Sequence, residues 1–110
     1  MAFYLVSATP READLDELQA RLAAEEFVPL RPFGKTLTRS LRNARRKPDG
    51  QAVWEEEDYC DPPLAQERAA VLDQYFDDLQ TQSVHSGDGW QQIAQLPPLF
   101  PQLAGKERHA

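Results

Sequence analysis

At 110 residues the chain has room for one domain with a single hydrophobic core, and not for two. Its 41% hydrophobic and 27% charged content is ordinary for a globular protein, so disorder over most of its length is not expected. A formal net charge of −6 argues against a general nucleic-acid or membrane-surface role, and the single cysteine, Cys60, has no internal disulfide partner, which fits a reducing compartment.

Residues 3–8 are apolar at both alternating sets of positions, the pattern of a central strand covered on both faces. No basic leader precedes them and a proline and acidic residues follow at once, so neither a signal peptide nor a membrane span is expected, and the default location is cytoplasmic. Thr9-Pro10-Arg11-Glu12 reads as a capping box opening a helix to about Glu26, with Leu15, Leu18, Leu22 and Ala23 as its apolar stripe. Residues 27–33 read as a second strand, placed at a sheet edge because Pro29 and Pro32 cannot donate to a ladder.

Residues 34–47 carry two signals. Leu37 and Leu41 suit a helix, whereas Thr36, Thr38 and Ser40 suit a strand. A long hairpin, bent near Gly34 and turning at Pro48-Asp49-Gly50, is the reading adopted, with a short helix as the alternative. Residues 51–59 are extended, with Ala52 and Trp54 on one face and Val53 and Tyr59 on the other.

The strongest helical pattern spans 61–79, where Leu64, Arg68, Val71, Leu72, Tyr75, Phe76 and Leu79 recur at three- and four-residue steps. Asp61, Pro62 and Pro63 mark its start; Asp77 and Asp78 lie at the unfavourable end of its dipole, so its stop is poorly marked. A weak polar edge strand at 80–85 and a turn at 86–89 follow. In 90–103, Trp90, Ile93, Leu96, Leu99, Phe100 and Leu103 stand among Pro97, Pro98 and Pro101, which excludes one regular helix. The domain is placed at 1–103, with 104–110 as a disordered tail.

The resulting order, βαββαβ, predicts an α+β fold of the ferredoxin-like split βαβ plan: an antiparallel sheet with two helices on one face and an apolar C-terminal extension. Such a sheet leaves apolar residues of the first strand without helical cover, and either the 90–103 segment or a second subunit must bury them. The expected function is a small non-catalytic interaction or regulatory domain binding a protein partner or itself. Its face would comprise Tyr4, Val6 and Trp54, joined by Trp90 and Phe100.

Two other function classes are carried alongside. Arg39, Arg42, Arg45, Arg46 and Lys47 could contact nucleic-acid phosphates, although the hairpin would set Arg42 near Glu55 and Glu56 and Arg39 near Asp58, neutralising the run internally. His85, near Ser86 and Asp88, is the general-base candidate of a small enzyme. Gly34-Lys35-Thr36 resembles the end of a phosphate-binding loop, but Pro29 stands where the first glycine belongs. No cofactor or metal is expected: the carboxylates at 55 and 57, or 56 and 58, share strand faces without the glycine and spacing of a calcium loop, and Cys60 has no neighbouring cysteine or histidine.

Overall fold

The computed structural model describes residues 2–105, which form an α+β domain around a four-stranded antiparallel sheet. In chain order the elements are β1 (Ala2–Pro10), a 3₁₀ turn (Glu12–Asp14), α1 (Leu15–Ala23), α2 (Gly34–Arg42), β2 (Arg45–Arg46) and β3 (Ala52–Asp58). Then come α3 (Ala65–Ala70), a second 3₁₀ turn (Leu72–Gln74), β4 (Phe76–Val84) and α4 (Asp88–Gln92). The strand order is β2-β3-β1-β4, with β1 pairing antiparallel to both β3 and β4. None of the described helices is long and apolar enough to cross a membrane.

The central strand behaves as its composition requires. Val6 and Ala8 point into the main core with Ala52 and Trp54 of β3, while Phe3, Leu5 and Ser7 are half-buried on the reverse side. Leu15, Leu18 and Leu22 of α1 enter the same core. The expected capping box does not form, because Thr9 continues β1 and the Glu12 carboxylate instead pairs with Arg46 at 2.8 Å.

Three segments depart from the sequence reading. Residues 27–33 are turns, not an edge strand: the free amides are used locally, Val28 N–H donating to the Glu25 carbonyl and Leu30 N–H to that of Phe27. Residues 34–42 take the helical alternative, burying Leu37 and Leu41 along one side, so the hairpin shrinks to two residues of β2 paired with Val53 and Ala52. Residues 61–79 are not one helix. Backbone dihedrals leave the helical range at Val71, and Phe76 begins β4 by pairing with Pro10.

Tertiary contacts explain that last departure. The Arg11 amide donates to the Tyr75 carbonyl at 2.8 Å, and the Arg11 guanidinium holds Asp77 at 2.9 Å. A carboxylate ill placed at a helix C-terminus thus finds a cation across the sheet. Most of the stripe is still buried: Leu64, Val71, Leu72, Tyr75 and Phe76 lie in the core, Phe76 packing on Trp54 with ring centroids 5.2 Å apart, whereas Leu79 is half-buried and Arg68 exposed. Tyr75 ties this segment to α1, its hydroxyl donating to Glu17 at 2.6 Å and accepting from Arg21 at 2.6 Å.

The C-terminal segment covers what two helices leave open. On the reverse face, α4 lies over β1 and β3, and Glu55 accepts bonds from the amides of Gly87, Gly89 and Trp90. The chain then runs past β2, with the Arg46 amide donating to the Pro97 carbonyl and the Leu99 amide to that of Ala44. Leu99, Phe100 and Leu103 thereby reach the main core. Of the stretch expected to be a disordered tail, Ala104 and Gly105 are bonded to Phe100 and Asn43, and 106–110 lie outside the described residues.

Gly34 starts α2 directly against the preceding turn, where an added Cβ would collide with the Phe27 carbonyl oxygen and sit 2.6 Å from that of Val28. Alanine normally stabilises a helical position relative to glycine, by about 1 kcal/mol. Here Gly34→Ala is expected to destabilise the fold by about 2 kcal/mol through forced displacement of backbone. Urea denaturation of the two proteins reads the sign, and a variant at least as stable as the parent contradicts this packing.

Candidate functional site

The residues expected to form an apolar binding face are already used by the fold. Val6, Trp54 and Phe100 are buried in the main core, and Tyr4 and Trp90 pack on its margin. Likewise, most of the basic run is bonded within the domain. Arg42 donates to the Leu22 carbonyl, Arg45 to that of Leu96, Arg46 to Glu12, and Lys47 to the Gln51 side chain. The expected pairing of this run with the acids of β3 gives way to these contacts because α2 turns Arg39 and Arg42 out of the hairpin register. Arg39 is exposed. His85 is 99% exposed, with its Nδ1 3.5 Å from Asp88.

Two features remain that a folded domain does not need for its own closure. The first is the outer edge of β4. On the opposite side of the sheet, β2 is capped by the 97–99 segment through two backbone bonds and a bridge between Arg45 and Pro98. Among the described residues no backbone bond closes the free side of β4, although it runs for nine residues. Its Gln80, Thr81, Gln82 and Ser83 are exposed, and no charge occurs from Leu79 to Val84.

The second is a group of buried acids. Alternation along β3 sets Trp54, Glu56 and Asp58 on the core side, and α3 brings Glu67 against them. Glu67 lies three residues after Leu64 and four before Val71, both fully buried, so it faces inward by the same spacing. Glu56 is 1% and Glu67 0% exposed. The Asp58 carboxylate caps the connecting turn, accepting from the amides of Leu64 at 2.6 Å and Cys60 at 3.1 Å. Glu56 accepts from the Trp54 indole at 2.9 Å, and the Cys60 sulfur lies 3.8 Å from Glu67. Ligand atoms of Asp58, Cys60 and Glu67 all fall within 4.8 Å of one another.

The electrostatics follow from that crowding. Burial pushes the Glu56 carboxyl well above its usual range, with the charges of Glu67 and Asp58 acting in the same direction. Burial, then the contact with Asp58, raises Glu67 to about 7. Burial opposes ionisation of Asp58 too, but bonds from Glu67 and from the Leu64 and Cys60 amides outweigh it and hold Asp58 below the usual carboxylate range. The Gln66 amide favours the Cys60 thiolate; burial and the charges of Asp58 and Glu67 together prevail and raise the thiol. One proton shared between Glu67 and Asp58, or one bound cation, satisfies this arrangement.

In the sequence Glu56 and Asp58 stand as a same-face pair and Cys60 as an isolated thiol, while the continuous helical spacing puts Arg68 rather than Glu67 on the buried stripe. The signal was present in the spacing of Leu64, Glu67 and Val71. Reading the helix as continuous to Leu79 favoured the stripe through Arg68, whereas the short α3 needs only the face containing Glu67.

Glu67 supplies a pH dependence with a definite sign. Its proton is held to about 7 in the folded chain and released near 4.5 in the unfolded one, so the unfolded state binds fewer protons between these values and stability falls as pH rises through that window. In chelator-containing buffer, Glu67→Gln is expected to match the parent near the lower value and to exceed its stability above the upper one by on the order of 1 to 3 kcal/mol. Urea titrations at both ends of the window check it; a gap between the two proteins that does not change with pH contradicts the assignment.

The chain matches no family model, no curated protein and no solved structure.

Proposed function

We propose that this protein is a small non-catalytic interaction module that works by strand addition along the outer edge of β4, with a second copy of the same chain as its partner. The carrying observation is the asymmetry of the sheet: one edge is closed by the chain's own 97–99 segment, while the nine-residue β4 edge has no covering segment among the described residues. An open row of backbone donors and acceptors is a template for another strand. The expected apolar face is replaced by this edge because its aromatic and aliphatic residues are spent on the monomer core.

Charge favours the second copy. Two chains of net charge −6 repel at most surfaces, yet the neutral tract Leu79–Val84 can meet its own image antiparallel about a two-fold axis without opposing like charges. The strand order β2-β3-β1-β4 with antiparallel neighbours supports reading the domain as a ferredoxin-like split βαβ plan in which the second strand is reduced to two residues. In that plan β4 is an edge by construction.

Light scattering across a concentration series is expected to show a monomer–dimer equilibrium. Thr81→Lys and Gln82→Lys, both at exposed positions, are expected to shift it to monomer while changing monomer stability by no more than about 0.5 kcal/mol. A parent chain that stays monomeric to its solubility limit, or a dimer indifferent to both lysines, overturns the reading.

A further inference from the structure

We infer that Asp58, Cys60 and Glu67 form a binding site for a single divalent transition-metal ion of the zinc type, at the junction of β3 and α3, independent of the β4 edge. The three donors come from the last residue of β3, the turn after it and the middle of α3, and their ligand atoms lie within 4.8 Å of one another. In tetrahedral zinc sites, bonds of about 2.0 to 2.3 Å place ligands roughly 3.3 to 3.8 Å apart, so small side-chain adjustments close the set on an ion.

Proximity of acids alone would not carry this. What adds to it is that Glu56 Oε2 and Glu67 Oε2 are both fully buried and, among the described residues, meet no hydrogen-bond donor other than a carboxyl of the same group. Leaving a carboxylate oxygen buried without a donor or a cation is costly, and here two such atoms belong to carboxyls in contact with each other beside Asp58. Among the described residues, the N–H and S–H groups that reach the cluster are neutral: the Trp54 indole, the amides of Cys60 and Leu64, and the Cys60 thiol. A dication held among Asp58, Cys60 and Glu67 supplies the positive charge that this buried group lacks.

The chemistry of the donors selects the ion. Calcium and magnesium take oxygen ligands in sets of six or more and gain nothing from sulfur, whereas zinc and its neighbours accept a thiolate with carboxylates in a four-coordinate set. Glu56 contacts Glu67 but is not among the ligand atoms within 4.8 Å of one another, so it orients Glu67 and a water completes the four-coordinate set. Glu56 is itself held by the Trp54 indole, an outer contact of the kind that steers metal ligands. Cys60 is half-buried and Tyr59 and Asp61 are exposed, so an ion reaches the site from the 59–61 turn. On binding, the Cys60 thiol proton and the proton shared by Glu67 and Asp58 are both given up to solvent, and the three donors replace water on the ion, a ligand exchange with no redox step.

The full chain, stripped with chelator and then dialysed against zinc, is expected to retain one zinc per chain in the presence of excess magnesium and calcium. Cobalt in place of zinc is expected to produce the near-ultraviolet thiolate-to-cobalt absorption that requires a sulfur ligand. Cys60→Ser removes that absorption, and Cys60→Ser and Glu67→Gln each weaken zinc binding by about tenfold or more. Circular dichroism establishes that the variants are folded; if Glu67→Gln is not, Cys60→Ser at its half-exposed position decides the matter. No zinc on the folded parent chain, displacement by magnesium or calcium, no sulfur-dependent cobalt band, or unchanged affinity in either folded variant overturns the site.

Discussion

Strand β1 is paired along both edges, to β3 from Ala2 through Ala8 and to β4 from Phe3 through Pro10, and the rest of the domain is positioned by that double pairing. A strand so placed has no edge left for solvent and must be covered on both faces. The chain supplies α1, α2 and the 64–76 stretch on one side and α4 on the other. The register also aligns Val6 with Trp54 and Leu5 with Glu55, which decides which residues enter the main core and which meet α4. A slip by one residue would exchange them.

The pairing has a consequence at each end of β4. At its start, Arg11 leaves β1 in position to take the Tyr75 carbonyl and the Asp77 carboxylate, which makes extended backbone more favourable there than another turn of helix. Across the sheet the 97–99 segment seals β2, whereas among the described residues no segment pairs with the outer side of β4. On the proposed reading, specificity comes from backbone geometry and from a neutral stretch in an otherwise acidic molecule, not from an exposed greasy surface.

Polar burial in this domain takes two forms that behave differently. Glu55 is buried but accepts from three backbone amides at the start of α4, so both its oxygens are satisfied and it fastens α4 to the sheet. Glu56 and Glu67 are equally hidden and lack that provision on one oxygen each. The difference separates a structural carboxylate from a site that calls for a proton or an ion. It follows from neighbours that are adjacent in sequence yet lie on opposite faces of one strand.

By itself the sequence determined the α+β class, the central first strand, the turn at Pro48-Asp49-Gly50, the extended 52–58 stretch and the burial of Leu15, Leu18, Leu22, Leu64, Val71, Leu72, Tyr75 and Phe76, because these rest on local periodicity and on residues that force a turn. Tertiary structure decided the rest. Leu37 and Leu41 could be buried from a helix or a strand, and the collar of Phe27 and Val28 around Gly34 selects the helix. The apolar residues of the stripe from Leu64 to Phe76 are buried either way, but the ladder offered by β1 ends the helix at Ala70. The joining of Asp58, Cys60 and Glu67 depends on that early end and on the turn that Asp58 caps, since periodicity reports which side of an element is hidden and not which other element lies against it.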